Sequence, residues 1–133
     1  MKKPSKQWKD FAQLIDIVNI RIMKQQMKLE KLRRELRDLE QTISEQWQEI
    51  KDTQDCLHST NVINEHNSIT RMFQRRESIK SRIESIFFDV SVASQNAKDL
   101  SLRIMDTEKE KQQLAKRKEA LAELQVQLMG EKN

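Results

Sequence analysis

Apolar side chains recur from Trp8 onward at alternating steps of three and four: Trp8, Phe11, Ile15, Val18, Ile22, Gln25, Leu29, Leu32, Leu36, Leu39, Ile43, Gln46, Ile50, Thr53 and Leu57. This is the 3.5-residue repeat of a coiled-coil seam, which keeps one row of side chains facing a partner helix. Only Gln25, Gln46 and Thr53 are polar. The spacing predicts a first helix over residues 8–57, roughly 75 Å long at about 1.5 Å per residue. The repeat stops in HSTNVINEHNS, residues 58–68. Ser, Thr and Asn there compete for backbone hydrogen bonds and favour turns and caps, so a loop is expected, with Asn67 or Ser68 capping the next helix. A second seam follows over 69–128: Ile69, Met72, Arg76, Ile79, Ile83, Ile86, Val90, Ala93, Ala97, Leu100 and Ile104. Beyond it Thr107, Lys111, Lys118 and Gln125 interrupt Leu114, Leu121 and Leu128. The expected fold is all-α, one domain over residues 1–133, a single long antiparallel two-helix coiled-coil hairpin.

One antiparallel alignment pairs the seams without a skip: Leu57 with Ile69, Ile43 with Ile83, Leu39 with Ile86, Ile22 with Ile104 and Phe11 with Leu114. Leu32 then faces Ala93 and Leu29 faces Ala97, large against small. The same alignment sets Trp8 opposite Lys118, so Leu121, Leu124, Val126, Leu128 and Met129 are expected to overhang. Ile17, Ile20, Met23 and Met27 fall off the seam, level with Leu102 and Met105, as an outer apolar belt. Such positions in an isolated pair of helices are normally charged, so a partner or a second copy of the chain is expected to cover them.

Composition narrows the class. The 133 residues are 35% charged and 5% aromatic, with no tyrosine, one proline (Pro4) and one glycine (Gly130). Few turns and no large globular core fit that composition. No apolar stretch approaches the roughly 18 residues of a membrane span, and the basic start lacks a secretory apolar stretch, so a soluble cytoplasmic chain without membrane insertion is expected. The single Cys56 cannot form an internal disulfide. Within RMFQRRESIKSR, Arg71, Arg75, Arg76, Lys80 and Arg82 outnumber Glu77. The alignment lets Glu45, Glu49 and Asp52 pair across with them, and the pattern lacks a groove-reading motif, which argues against nucleic acid. His58 and His66 are eight residues apart, too far to share a helical face as metal ligands, although Glu65 stands beside the second. One glycine leaves no phosphate loop, and no nucleophile is paired with a base by any motif. No catalytic residue, cofactor or small-molecule substrate is expected.

A basic, glycine-poor chain with heptad seams from Trp8 to Leu57 and from Ile69 to Leu128 resembles the FliJ/YscO-type central stalk proteins of flagellar and virulence type III secretion systems. The resemblance implies a non-catalytic stalk, peripheral to an inner-membrane export apparatus, that engages a hexameric secretion ATPase and couples it to the export gate. It implies ATPase contacts among Lys111, Lys116, Arg117, Lys118, Leu121, Leu124, Leu128 and Met129, and a gate-facing patch from Trp47, Arg71, Phe73, Arg75 and Arg76. It also gives the belt of Ile17, Ile20, Met27, Leu102 and Met105 a use. The alternative is a structural coiled-coil subunit of a scaffold or tethering assembly, with the belt joining copies of the chain.

Overall fold

The computed structural model describes residues 5–59 and 68–131. They form two helices, α1 (Lys6–Ser59) and α2 (Ser68–Glu131), packed against each other as a hairpin. The expected cap at Asn67, together with Pro4, Glu65 and His66, lies outside the described residues, whereas His58 belongs to the last turn of α1. Helix α1 starts at a cap that the heptads do not announce. The Trp8 amide donates to Ser5 Oγ at 3.1 Å, and the Lys9 amide donates to the Ser5 carbonyl at 3.0 Å. Ser5 thus satisfies amides that have no partner within the first turn. At the other end, Ser59 Oγ donates to the Cys56 carbonyl. Gly130 lies inside the last turn of α2, where a side chain would meet open space.

The chain divides into two compact units: a terminal unit of residues 1–34 and 101–133, and a central unit of residues 35–100. In the terminal unit Val18, Leu29, Leu32 and Thr107 are buried. Thr107 spends its hydroxyl on the Arg103 carbonyl at 2.7 Å, so a polar residue sits in the seam without an unmet donor. Arg33 Nη2 meets Glu108 Oε1 at 2.8 Å, Lys111 Nζ donates to Gln26 Oε1, and Gln125 Nε2 donates to the Trp8 carbonyl at 3.3 Å. In the central unit Ile50, Ile83, Ile86 and Val90 form the core, with Leu57 and Ile79 packed against it. Each such side chain contributes about 1.5–3 kcal/mol when fully buried. Arg82 Nη2 closes on Glu49 Oε1 at 2.8 Å beside this cluster.

These contacts correct the expected alignment. Trp8 is bonded to Gln125, seven residues beyond Lys118. Leu57 shares a cluster with Ile79 while Ile69 is 66% exposed, and Ile86 packs with Ile50 in place of Leu39. Leu29 shares a groove with Lys111, Gln112 and Ala115, well away from Ala97 in sequence. Helix α2 has slid by about a heptad or slightly more. The physical reason is that a heptad seam is periodic: a slide of seven residues lays core positions on core positions again, so apolar spacing alone does not choose the register. What the slide gains is visible at the ends. It gives up cover over Ile69 and draws the far turns of α2 beside the first turns of α1, where Leu121, Ala122, Gln125 and Leu128 are half-buried. The expected overhang therefore does not exist as a row of unpartnered turns.

Candidate functional site

The candidate sites are surfaces of the two units. Among the described residues no group of three or more His, Cys, Asp or Glu could hold a metal ion, and no helix is long and apolar enough to cross a membrane.

On the α2 side of the terminal unit, Lys116, Arg117 and Lys118 are exposed in consecutive positions. Lys111 differs from them: it is half-buried and held by Gln26. Leu121 and Leu128 belong to the seam, whereas Leu124 (45% exposed), Val126 (71%) and Met129 (41%) face outward. Arg117 also lines a groove of about 490 Å³ with Arg21, Lys24, Gln25, Glu110, Gln113 and Leu114. Three cations against one carboxylate make that groove electropositive. It suits acidic side chains of a partner, with Leu114 and the methylenes of the cations as an apolar floor.

The outer belt is exposed on both helices but is not one belt. Ile17, Ile20, Met23 and Met27 are exposed on α1, and Leu102 and Met105 on α2. The Gln26–Lys111 and Arg33–Glu108 contacts put Met27 level with residues near Lys111. Leu102 and Met105 lie six or more residues beyond that level, about 9 Å or more at 1.5 Å per residue. The belt is two patches, for the same reason that the register differs.

In the central unit the Trp47 and Phe87 rings meet edge to face, with centroids 5.6 Å apart and planes at 81°. That geometry is the favourable one for aromatic quadrupoles. Both remain partly exposed, and Phe73 and Phe88 are more so. At 100° per residue Phe73 and Phe87 share one flank of α2, whereas Arg71 and Arg75 fall on the opposite flank with Arg82. The five gate-facing candidates are thus split: Trp47 and Phe73 on one side, Arg71 and Arg75 on the other. Arg76 lies half-buried near the seam. Among the described residues the cross-hairpin pairing expected for the basic segment forms once, between Arg82 and Glu49. Glu45 and Asp52 instead accept from Gln41 and Gln48 on their own helix, and Lys80 pairs with Glu77 at 3.6 Å. Among the described residues Arg71, Arg75 and Arg76 make no ion pair, which leaves Arg71 and Arg75 as exposed charges. Sequence reasoning missed the Trp47–Phe87 contact because it depends on register, and it missed the Ser5 cap, whose signal is a serine three residues before the first seam position.

No family model, no curated protein and no solved structure matches this chain.

Proposed function

We propose that the protein is a non-catalytic coupling stalk of a type III secretion export apparatus, engaging the hexameric ATPase through its terminal unit and the export gate through its central unit. The observation that carries this reading is that both units expose contact chemistry of different kinds on the same two continuous helices. The terminal unit offers Lys116, Arg117 and Lys118 with Leu124 and Met129, and the central unit offers Trp47, Phe73 and Phe87. A helix carries force between its ends with little compliance, because every interior amide is bonded along the axis. A single asymmetric hairpin in a six-fold ring would make its six sites unequal, and that inequality would stimulate turnover.

The test is ATP hydrolysis by a purified secretion ATPase with and without the chain. Stimulation is expected, and Lys116→Glu, Arg117→Glu and Lys118→Glu together should remove it without lowering the melting temperature. No stimulation by the intact, folded chain overturns the reading. A second reading, a structural subunit of a scaffold, is favoured by the exposure of Ile20, Met23, Met27 and Leu102. It requires an obligate homo-oligomer by solution mass and no effect on the ATPase.

A further inference from the structure

The α1 patch of the terminal unit takes no part in the stalk contacts proposed above, and its placement is specific. Val18 and Leu29 are buried in the seam, at 3% and 1% exposure. At about 100° per residue, Ile20 and Met27 each lie about 200° from one of them, so they point directly away from α2. Ile17, Ile20, Met23 and Met27 form a stripe on that back face over about 15 Å of helix, at 47%, 54%, 65% and 68% exposure. The charged residues sharing the face are Lys6, Lys9, Lys24, Lys31 and Arg34, all exposed, with Asp16 on the face, Glu30 at its edge, and Lys24 on the side of the groove it lines.

Three occupants compete for such a face. A second copy packed on it through a two-fold axis would set a face with more cations than acids against itself, which disfavours self-pairing. A partner helix needs a groove or small residues to interlock with. The grooves described in this unit are lined by Gln25, Leu29 and Leu114 along the seam or by Ala122, Glu123, Val126 and Gln127 on α2, and Ile20, Met23 and Met27 line none of these. A flat anionic surface needs neither. It accepts a convex apolar ridge, and its negative potential rewards cations standing on either side of the ridge. Lysine methylenes can lie along the acyl boundary while the ammonium groups stay at the headgroups.

We propose that the back face of α1 centred on Ile20, Met23 and Met27 seats this protein on an anionic lipid bilayer, lying on the surface with Lys9, Lys24, Lys31 and Arg34 against the headgroups. Ile and Met insert shallowly, without the aromatic anchors of deeper interfacial helices, so attachment is reversible and depends on charge and apolar contact together. The proposal does not rest on the stalk reading. If both hold, a given molecule's terminal unit is either on lipid or inside the ring.

The experiment is co-sedimentation of the full chain with vesicles of phosphatidylcholine containing about 30% phosphatidylglycerol, against vesicles of phosphatidylcholine alone. Binding to the anionic vesicles is expected to exceed the neutral ones by about a hundred-fold or more. Each cation near the surface is worth roughly five-fold in partition, so Lys24→Gln with Lys31→Gln should lower binding by about 25-fold. Ile20→Ser with Met27→Ser should lower it by about ten-fold or more at unchanged charge. These are exposed positions, so far-ultraviolet circular dichroism and the melting temperature should be unchanged in both double variants. The proposal is overturned if the chain shows no preference for the anionic vesicles. It is equally overturned if the Ile20/Met27 variant binds as well as the parent, which would reduce the effect to diffuse charge. A third contrary result is a chain that self-associates in solution, loses that association with the Ile20/Met27 changes, and ignores vesicles.

Discussion

Replacing Gln46 by leucine should make this protein more stable. Gln46 lies one turn before Ile50, the most buried residue of the central core at 2% exposure. Its side-chain oxygen Oε1 is buried with no hydrogen-bond donor. Thr53, two turns along the same seam, avoids the problem by donating to the Glu49 carbonyl at 2.6 Å. An unmet buried carbonyl costs about 1–3 kcal/mol in desolvation, and leucine has nearly the same volume, so Gln46→Leu removes that cost and adds apolar contact with Ile50. Allowing for the lost solvation of the amide nitrogen end, a net gain of about 1–2 kcal/mol is expected. In a chain of this size that raises the melting temperature by roughly 3–8 °C. Urea unfolding followed at 222 nm should show a higher midpoint with unchanged slope. Gln25, whose Oε1 is likewise buried and unmet, should respond in the same direction, and the two gains should add because the residues share no partner. A midpoint that stays put or falls in both variants would refute the reasoning, since it would mean that these oxygens are satisfied in solution. The double variant makes a second point. A polar seam residue restricts register at a cost in stability. Spin labels at positions 49 and 82 should therefore report one short distance in the parent and a second population about 5 Å longer in the double variant, since a seven-residue slide of about 10 Å runs at right angles to the separation of the helices.

Three further outcomes follow from the packing. Leu29→Ala, at a position 1% exposed, should cost about 2–5 kcal/mol in urea unfolding. Labels at positions 50 and 86 should sit closer together than labels at 39 and 86 by roughly 10 Å or more, as judged by dipolar spectroscopy; equal distances would restore the alignment that the seam alone suggests. Arg33→Ala and Arg82→Ala each remove an ion pair that is 2.8 Å long but nearly half-exposed or more on both sides, so each should cost under about 1 kcal/mol by thermal melts.

How far the sequence could be read depended on which interactions are periodic. The existence of α1 and α2 was legible because fifteen consecutive seam positions held to one spacing, because no proline or glycine falls between Pro4 and Gly130, and because the one polar interruption, residues 58–68, stands between them. The register was not legible, since Leu57 finds an equivalent environment beside Ile69 or a heptad further on. The contacts that hold it, Gln125 to Trp8, Arg33 to Glu108 and Arg82 to Glu49, carry no periodic signature. Every expectation built on register inherited that ambiguity. The overhang of Leu121 and Leu128 disappeared, and the belt separated into two patches. Expectations built only on the face of one helix, such as the exposure of Ile17, Ile20 and Met27 or of Trp47 and Phe73, did not depend on it. Arg71 and Phe73 were grouped by closeness in sequence, which a helix does not respect.

The distribution of indole rings has a practical consequence. The chain has two tryptophans and no tyrosine, and each unit holds one tryptophan: Trp8, half-buried, in the terminal unit, and Trp47, against Phe87, in the central unit. Trp8→Phe and Trp47→Phe therefore yield two versions of the protein whose ultraviolet emission comes from a single known place. Wavelength shifts and acrylamide quenching in each would tell which half a ring, a gate or a lipid surface has touched, without attaching any dye.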